Sequence, residues 1–180
     1  MSRRLTLILG GVRAGKSTYA QRLAASGERV LFVATAEAGD ADMQARIEAH
    51  RESRPTDWDT LEEPLDLVSA LMPLLPRYDT VLLDCLTLWV SNLMLAGSAP
   101  ESPRCDIPEA IRGLLELYRS GEASWVIVSN EVGLGVVPTT KMGREYADEL
   151  GRVNQMVAAE ADGVYFMAAG IPMVVKSSAP

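Results

Sequence analysis

The sequence predicts a single α/β domain of three layers, with a mostly parallel central sheet and a C-terminal antiparallel hairpin. Three observations carry that expectation. Short, continuous apolar runs rich in β-branched residues recur along the chain, as strands buried on both faces of a parallel sheet require. Helical patterns alternate with those runs, and such alternation builds right-handed crossovers. A glycine-rich turn, Gly10-Gly11-Val12-Arg13-Ala14-Gly15-Lys16-Ser17, joins the first run to the first helical segment. With 180 residues, 48% hydrophobic and 23% charged, the chain has the material for one substantial core. No internal repeat or low-complexity tract divides it, so residues 1–180 read as one domain.

Taken in order, the buried strands are expected at Leu5–Leu9, Val30–Ala34, Thr80–Asp84, Trp125–Ser129 and Gly163–Met167. A last run, Pro172–Lys176, follows Ala168-Ala169-Gly170 and is expected to return as a hairpin on its predecessor. Helices are expected at Ser17–Ala25, Ala41–Glu52, Leu65–Leu75, Leu86–Leu95, Pro108–Gly121 and Met142–Ala161. Gly97 to Pro108 reads as a surface excursion between two of them. Arg3 and Arg4 precede an apolar run of five residues that ends in the glycine-rich turn, so that run is a strand rather than a targeting segment.

The turn fits G-x-x-x-x-G-K-[ST], the phosphate loop (P-loop), with the strand before it and the helix behind it that the pattern needs. The glycines at 10, 11 and 15 allow positive φ, so the backbone wraps a phosphate without Cβ clashes. Loop N–H groups and the helix N-terminus supply partial positive charge. Lys16 is placed to reach the β/γ-phosphates and the Ser17 hydroxyl to hold Mg²⁺. The domain is therefore read as the P-loop NTPase type. A net charge of −7 excludes the broad basic surface of a nucleic-acid binder. The most apolar window, Val81–Leu95, is broken by Asp84 and Asn92 and is too short to span a bilayer. Cys85 and Cys105 lack metal-ligand spacing and read as reduced, structural thiols, and the chain is expected to be cytoplasmic.

Other candidates stand at predicted strand ends and on one helix. Asp84 closes Thr80–Asp84, where a carboxylate binds Mg²⁺ in P-loop enzymes; a helix N-cap before Leu86 is the alternative. Thr35, Ala36 and Glu37 follow the second strand at the carboxyl edge of the sheet, where ligands bind, or simply turn the chain. His50 is the single histidine, and Arg46 shares its helical strip at i,i+4 spacing, with Arg51 and Arg54 near the helix end. Like-charge repulsion lowers an imidazole pKa and favours the neutral nucleophile, while the same arginines suit a triphosphate. A lone histidine on a charged helix is usually a solvated surface residue, and spacing alone favours that reading. Glu62 suits a sugar hydroxyl or base edge, or is a surface acid. Asn130-Glu131-Val132-Gly133-Leu134-Gly135 follows the fourth strand and resembles a substrate-side loop.

These residues together match a known pattern. The chain resembles the bifunctional adenosylcobinamide kinase/adenosylcobinamide-phosphate guanylyltransferases of cobalamin synthesis, from Leu7 to Lys176. The likeness rests on GGVRAGKS, VATAE, RIEAHRESRPTDWDTLEEP, LLDCLTLWVSNL, SNEVGLGVVP, GRVNQMVAAEAD and a final AGIP. The H-R-x-x-R-P-x-x-W-x-T-x-E block and N-E-V-G-x-G-x-V-P are the specific parts. The resemblance implies phosphorylation of the aminopropanol hydroxyl of adenosylcobinamide by ATP or GTP. It also implies transfer of GMP from GTP to the resulting phosphate, through a guanylyl-histidine at His50, with release of pyrophosphate. It places nucleotide contacts at Gly10, Gly11, Val12, Arg13, Ala14, Gly15, Lys16 and Ser17, at Thr35, Ala36 and Glu37, and at Arg51, Glu52, Ser53, Arg54, Glu62 and Asp84. Ser17 and Asp84 are the Mg²⁺ positions, and a homotrimer with corrinoid near a subunit junction is the implied assembly. Val12 and Ala14 stand where Ala and Ser are common in the family, and Ala147 stands where an arginine is frequent. A P-loop kinase without nucleotidyl transfer, and a non-catalytic GTP-binding regulatory module, are the alternatives. Pyrophosphate release separates the first, and corrinoid-dependent turnover the second.

Overall fold

The computed structural model describes residues 3–37, 48, 51, 54–97 and 105–177. Its strands are β1 (Leu5–Gly10), β2 (Val30–Ala34), β3 (Asp59–Glu62), β4 (Thr80–Asp84), β5 (Ser124–Val128), β6 (Gly163–Ala168) and β7 (Ile171–Ser177). They form one sheet in the order β3-β2-β4-β5-β1-β6-β7. Every neighbouring pair is parallel except β6 with β7, the expected C-terminal hairpin. Helices among the described residues are α1 (Lys16–Ala24), α2 (Leu67–Leu71), α3 (Leu86–Ala96), α4 (Ile107–Ser120) and α5 (Lys141–Glu160).

Strand alternation sorts the core into two layers. Leu31, Val33, Val81, Leu83, Trp125 and Ile127 point to the face covered by α2 to α5. Val30, Phe32, Leu82, Val126 and Val128 point to the face covered by α1. Because a strand reverses its side chains at every residue, continuous apolar runs are what a sheet buried on both faces demands. Trp89 and Trp125 anchor the larger layer, both about 1% exposed; the Trp89 indole N–H donates to Leu65 O at 2.8 Å. The Tyr118 ring meets Trp125 edge-on at 6.0 Å.

Several details differ from the sequence reading. The strand β3 lies in a stretch read only for Glu62; three of its four residues are exposed, so no apolar signal marks it, and charge suits an edge strand. The helix expected over Leu65–Leu75 stops at Leu71, with a 3-10 turn at Leu75–Arg77, because Pro73 and Pro76 lack the N–H that continues a helix. The fourth long strand runs Ser124–Val128, which leaves Ser129 and Asn130 as its tip. The expected helix Ala41–Glu52 falls largely outside the described residues, as does most of the Gly97–Pro108 excursion. Cys85 and Cys105 are free thiols, but Cys105 is exposed rather than structural. Among the described residues, no helix is long and apolar enough to cross a membrane.

Candidate active site

The phosphate loop leaves β1 through two strained positions. Gly10 has φ +148°, and a Cβ there would stand 2.7 Å from Met167 O on the adjoining strand. Gly15 has φ +92° and caps α1 with no side chain, so the first-turn N–H groups have no intrahelical partner. Gly11 does not adopt positive φ; Arg13 takes that role instead, at φ +57°. Behind the loop stands the tip of the β6–β7 hairpin. Ala169 (φ +51°) and Gly170 (φ +81°) form a two-residue turn whose Gly170 N–H donates to Ala14 O at 3.0 Å. The hairpin therefore braces the loop, a contact between residues 156 positions apart that sequence patterning does not reveal.

The loop opens onto a cleft of about 670 Å³ along the carboxyl edge of the sheet. Lys16 and Ser17 line one side, Phe32, Ala36, Arg54 and Glu62 the other, and Asp84 and Asn130 the space between. Lys16 is 9% exposed, and its Nζ donates to Gly11 O at 2.7 Å. Burial pulls its pKa below the usual lysine value, against the opposing pull of Cys85 and Asp84. The Asp84 carboxylate accepts no hydrogen bond among the described residues, and Cys85 rather than Asp84 occupies the N-cap of α3. The helix-cap alternative therefore does not describe it. Burial pushes the Cys85 thiol up to about 11, so it is protonated at neutral pH.

Three predicted nucleotide residues converge at the end of β3: Arg54 and Glu62 line the cleft, and Arg51 joins them through Glu62. Arg51 grips the Glu62 carboxylate with two hydrogen bonds, Nε to Oε1 at 2.7 Å and Nη2 to Oε2 at 2.5 Å. That fork holds the Glu62 pKa down, with Arg54 acting in the same sense. Arg54 lies 4.1 Å above the Phe32 ring, 4.0 Å from Glu62, with its side chain 8% exposed. Its Nε is buried without a partner among the described residues. Burial lowers its pKa, and Glu62 opposes that shift.

Other predicted residues are placed differently. Thr35 is fully buried; its hydroxyl donates to Cys85 O at 2.7 Å and accepts from Cys85 N at 3.0 Å. Val12 sits at the cleft rim, 84% exposed. Glu37 is exposed outside the cleft lining. His50, Glu52 and Ser53 lie outside the described residues. Sequence reading did not single out Phe32, Thr87 or Asn92. Phe32 looks like any core strand residue, and Asn92, which donates to Thr35 O at 2.8 Å and Pro64 O at 3.1 Å, reads as a helix-face polar residue.

No group of three or more His, Cys, Asp or Glu among the described residues is arranged to hold a metal. One hydroxyl (Ser17) and one carboxylate (Asp84), neither spent on another protein group, nevertheless fit Mg²⁺, which takes one or two protein ligands and completes its shell with water and substrate phosphates.

A parallel sheet whose first strand feeds a braced phosphate loop, with a carboxylate at a nearby strand tip, defines a P-loop nucleotide-binding protein. The chain belongs to the cobinamide kinase / cobinamide phosphate guanyltransferase family, whose model matches residues 6–175. It is 46% identical over 175 residues to the bifunctional adenosylcobalamin biosynthesis protein CobP of Pseudomonas aeruginosa, covering 94% of this chain and 96% of that one. It is 36% identical over 180 residues to the corresponding protein CobU of Salmonella typhimurium, covering 96% and 99%. Among solved structures, a type III secretion system ATPase superposes with TM-score 0.57 at 13% identity, covering 97% of this chain and 57% of that one. The RadB recombinase gives 0.50 at 14%, covering 91% and 73%. At such identities these two share the fold alone.

The braced loop makes one substitution informative. In Gly15→Ala the new Cβ meets Gly170 Cα at 3.1 Å from a backbone at φ +92°. The strain, ~1–3 kcal/mol, is expected to weaken GTP binding by roughly tenfold or more, read by titration calorimetry, with far-UV circular dichroism unchanged.

Proposed function

We propose that this chain performs both reactions in the family's description at one nucleotide cleft, and that His50 carries the second. In the kinase step the aminopropanol hydroxyl of adenosylcobinamide attacks the γ-phosphorus of ATP or GTP, and the nucleoside diphosphate leaves with the bond's electron pair. Lys16 and the loop amides hold the triphosphate, and positioning supplies most of the acceleration. In the second step neutral His50 attacks the α-phosphorus of GTP in line and pyrophosphate leaves into the loop. A phosphate oxygen of adenosylcobinamide phosphate then displaces histidine, giving adenosylcobinamide-GDP. Ser17 and Asp84 are proposed to hold Mg²⁺, which when bound neutralises charge on the phosphates.

The observation that carries this reading is the arginine cluster. Arg54, whose buried Nε has no partner among the described residues, lines the cleft that also holds Lys16 and Asp84, and Arg51 joins it through Glu62; both arginines stand within four residues of His50 in the sequence. Guanidinium charge at that place serves transfer at the α-phosphorus, beyond the β/γ cradle of the loop. Val12, Arg13, Ala36, Glu37, Glu52 and Ser53 complete the proposed nucleotide contacts, and Thr35, buried with its hydroxyl on Cys85, supports them from behind. A homotrimer is proposed by resemblance; exposed Ile171, Met173, Val174 and Val175 on edge strand β7 give it an apolar surface to bury. A cytoplasmic location accords with a biosynthetic role for such an enzyme.

Labelling separates the two reactions. Incubation with α-labelled GTP and Mg²⁺ is expected to leave label on the protein in an acid-labile, base-stable form, as a histidine phosphoramidate requires. Absence of protein-bound label, with GDP formed but no pyrophosphate, supports the kinase alone.

A further inference from the structure

We propose that Asn130 contacts the terminal phosphate: its side-chain amide donates a hydrogen bond to the γ-phosphate of the bound triphosphate, between Lys16 and Asp84. The inference rests on reading the cleft as the triphosphate site. Strand β5 lies between β1 and β4, so its tip emerges between the phosphate loop and Asp84. Val128 and Asn130 share one face of that strand and line the cleft, while Ser129 turns the other way and is fully buried.

The backbone of Asn130 is clamped on both sides. Its N–H donates to Thr87 Oγ1 at 2.8 Å, and its carbonyl accepts from Asn154 Nδ2 at 3.0 Å. Thr87 is 7% and Asn154 4% exposed, two of the few buried polar side chains in the described domain. Tyr146 steadies Thr87 by donating to its carbonyl at 3.1 Å. The side-chain amide of Asn130, in contrast, has no hydrogen-bond partner among the described residues. Its neighbour Glu131 is engaged within its own loop, accepting from Gly133 N at 2.9 Å. Two buried side chains thus fix one backbone position and leave an amide free over a phosphate cleft. An amide N–H recognises a phosphate oxygen without adding charge, so its effect falls on the phosphate it reaches and not on the rest of the nucleotide.

The test uses the full chain with GTP and GDP in calorimetry and with adenosylcobinamide in turnover. Asn130→Ala is expected to lower GTP affinity or kinase kcat by about tenfold or more, the size of one hydrogen bond to a charged group. GDP affinity is expected to stay within about threefold, which also reports that the cleft is folded. Asn130→Asp is isosteric and keeps both backbone clamps, yet is expected to be worse than Asn130→Ala, because a carboxylate then faces phosphate. A purely structural role predicts the reverse order. Asn130→Ala equal to wild type in kcat and in GTP-over-GDP preference, or Asn130→Asp better than Asn130→Ala, overturns the contact. Wild-type chain that fails to bind GTP overturns the cleft reading beneath it.

Discussion

Lys16→Ala is expected to lower kcat/KM for both phosphoryl and guanylyl transfer by about 10²–10³-fold, the cost of removing one preorganised charge from a partly dry site, ~3–4 kcal/mol. The ammonium is 9% exposed and held by Gly11 O at 2.7 Å, so it is aimed before nucleotide arrives. Burial lowers its pKa, and the Asp84 carboxylate favours the charged form. In the proposed mechanism both reactions depend on it, because the same cradle serves the β/γ-phosphates in one step and departing pyrophosphate in the other. Lys16→Met keeps the stem and removes the charge, and is expected to match Lys16→Ala. Lys16→Arg is not expected to rescue, since a planar fork does not fit a space shaped for a point charge. Steady-state assays of each half-reaction with unchanged circular dichroism check the prediction; equal activity of Lys16→Met and wild type would remove the lysine from the mechanism.

His50→Ala is expected to divide the two activities. Guanylyl transfer should fall by roughly three orders of magnitude or more, as when a covalent nucleophile is removed. The kinase step should stay within about threefold, because as proposed it uses the loop, Asp84 and the acceptor hydroxyl, and no nucleophile on the enzyme. Protein-bound label from α-labelled GTP should vanish in the same variant. Label persisting in His50→Ala would assign the nucleophile elsewhere. Equal loss of both steps would instead give the histidine a general structural or binding role.

Legibility tracked the range of the physics involved. The phosphate loop, the alternation of strands and helices, and the placement of Asp84 at a strand tip are local patterns, and each appears in the structure. So does the hairpin, whose Ala169-Gly170 turn is the short-range signal for antiparallel return. Strand β3 was not legible, because an exposed edge strand carries charge where a central strand carries Val and Leu. The α2 boundary was misread because the apolar pattern continues through Pro73 while the hydrogen-bond ladder cannot.

By itself, the sequence determined the architecture, the triphosphate loop, and the block of arginines around His50 on which the family resemblance rests. Only the tertiary structure decided how the loop is used. It showed that Gly15 sits at φ +92° with Gly170 close against it, that Arg13 and not Gly11 takes a positive φ, and that Thr35 spends its hydroxyl on Cys85. It also brought Asn130, Thr87 and Asn154 together from three elements to aim one amide into the cleft. Propensity and spacing act within a turn or two of the chain. Bracing, burial and clamping join residues 24 to 156 positions apart, and only the packed sheet brings those into contact.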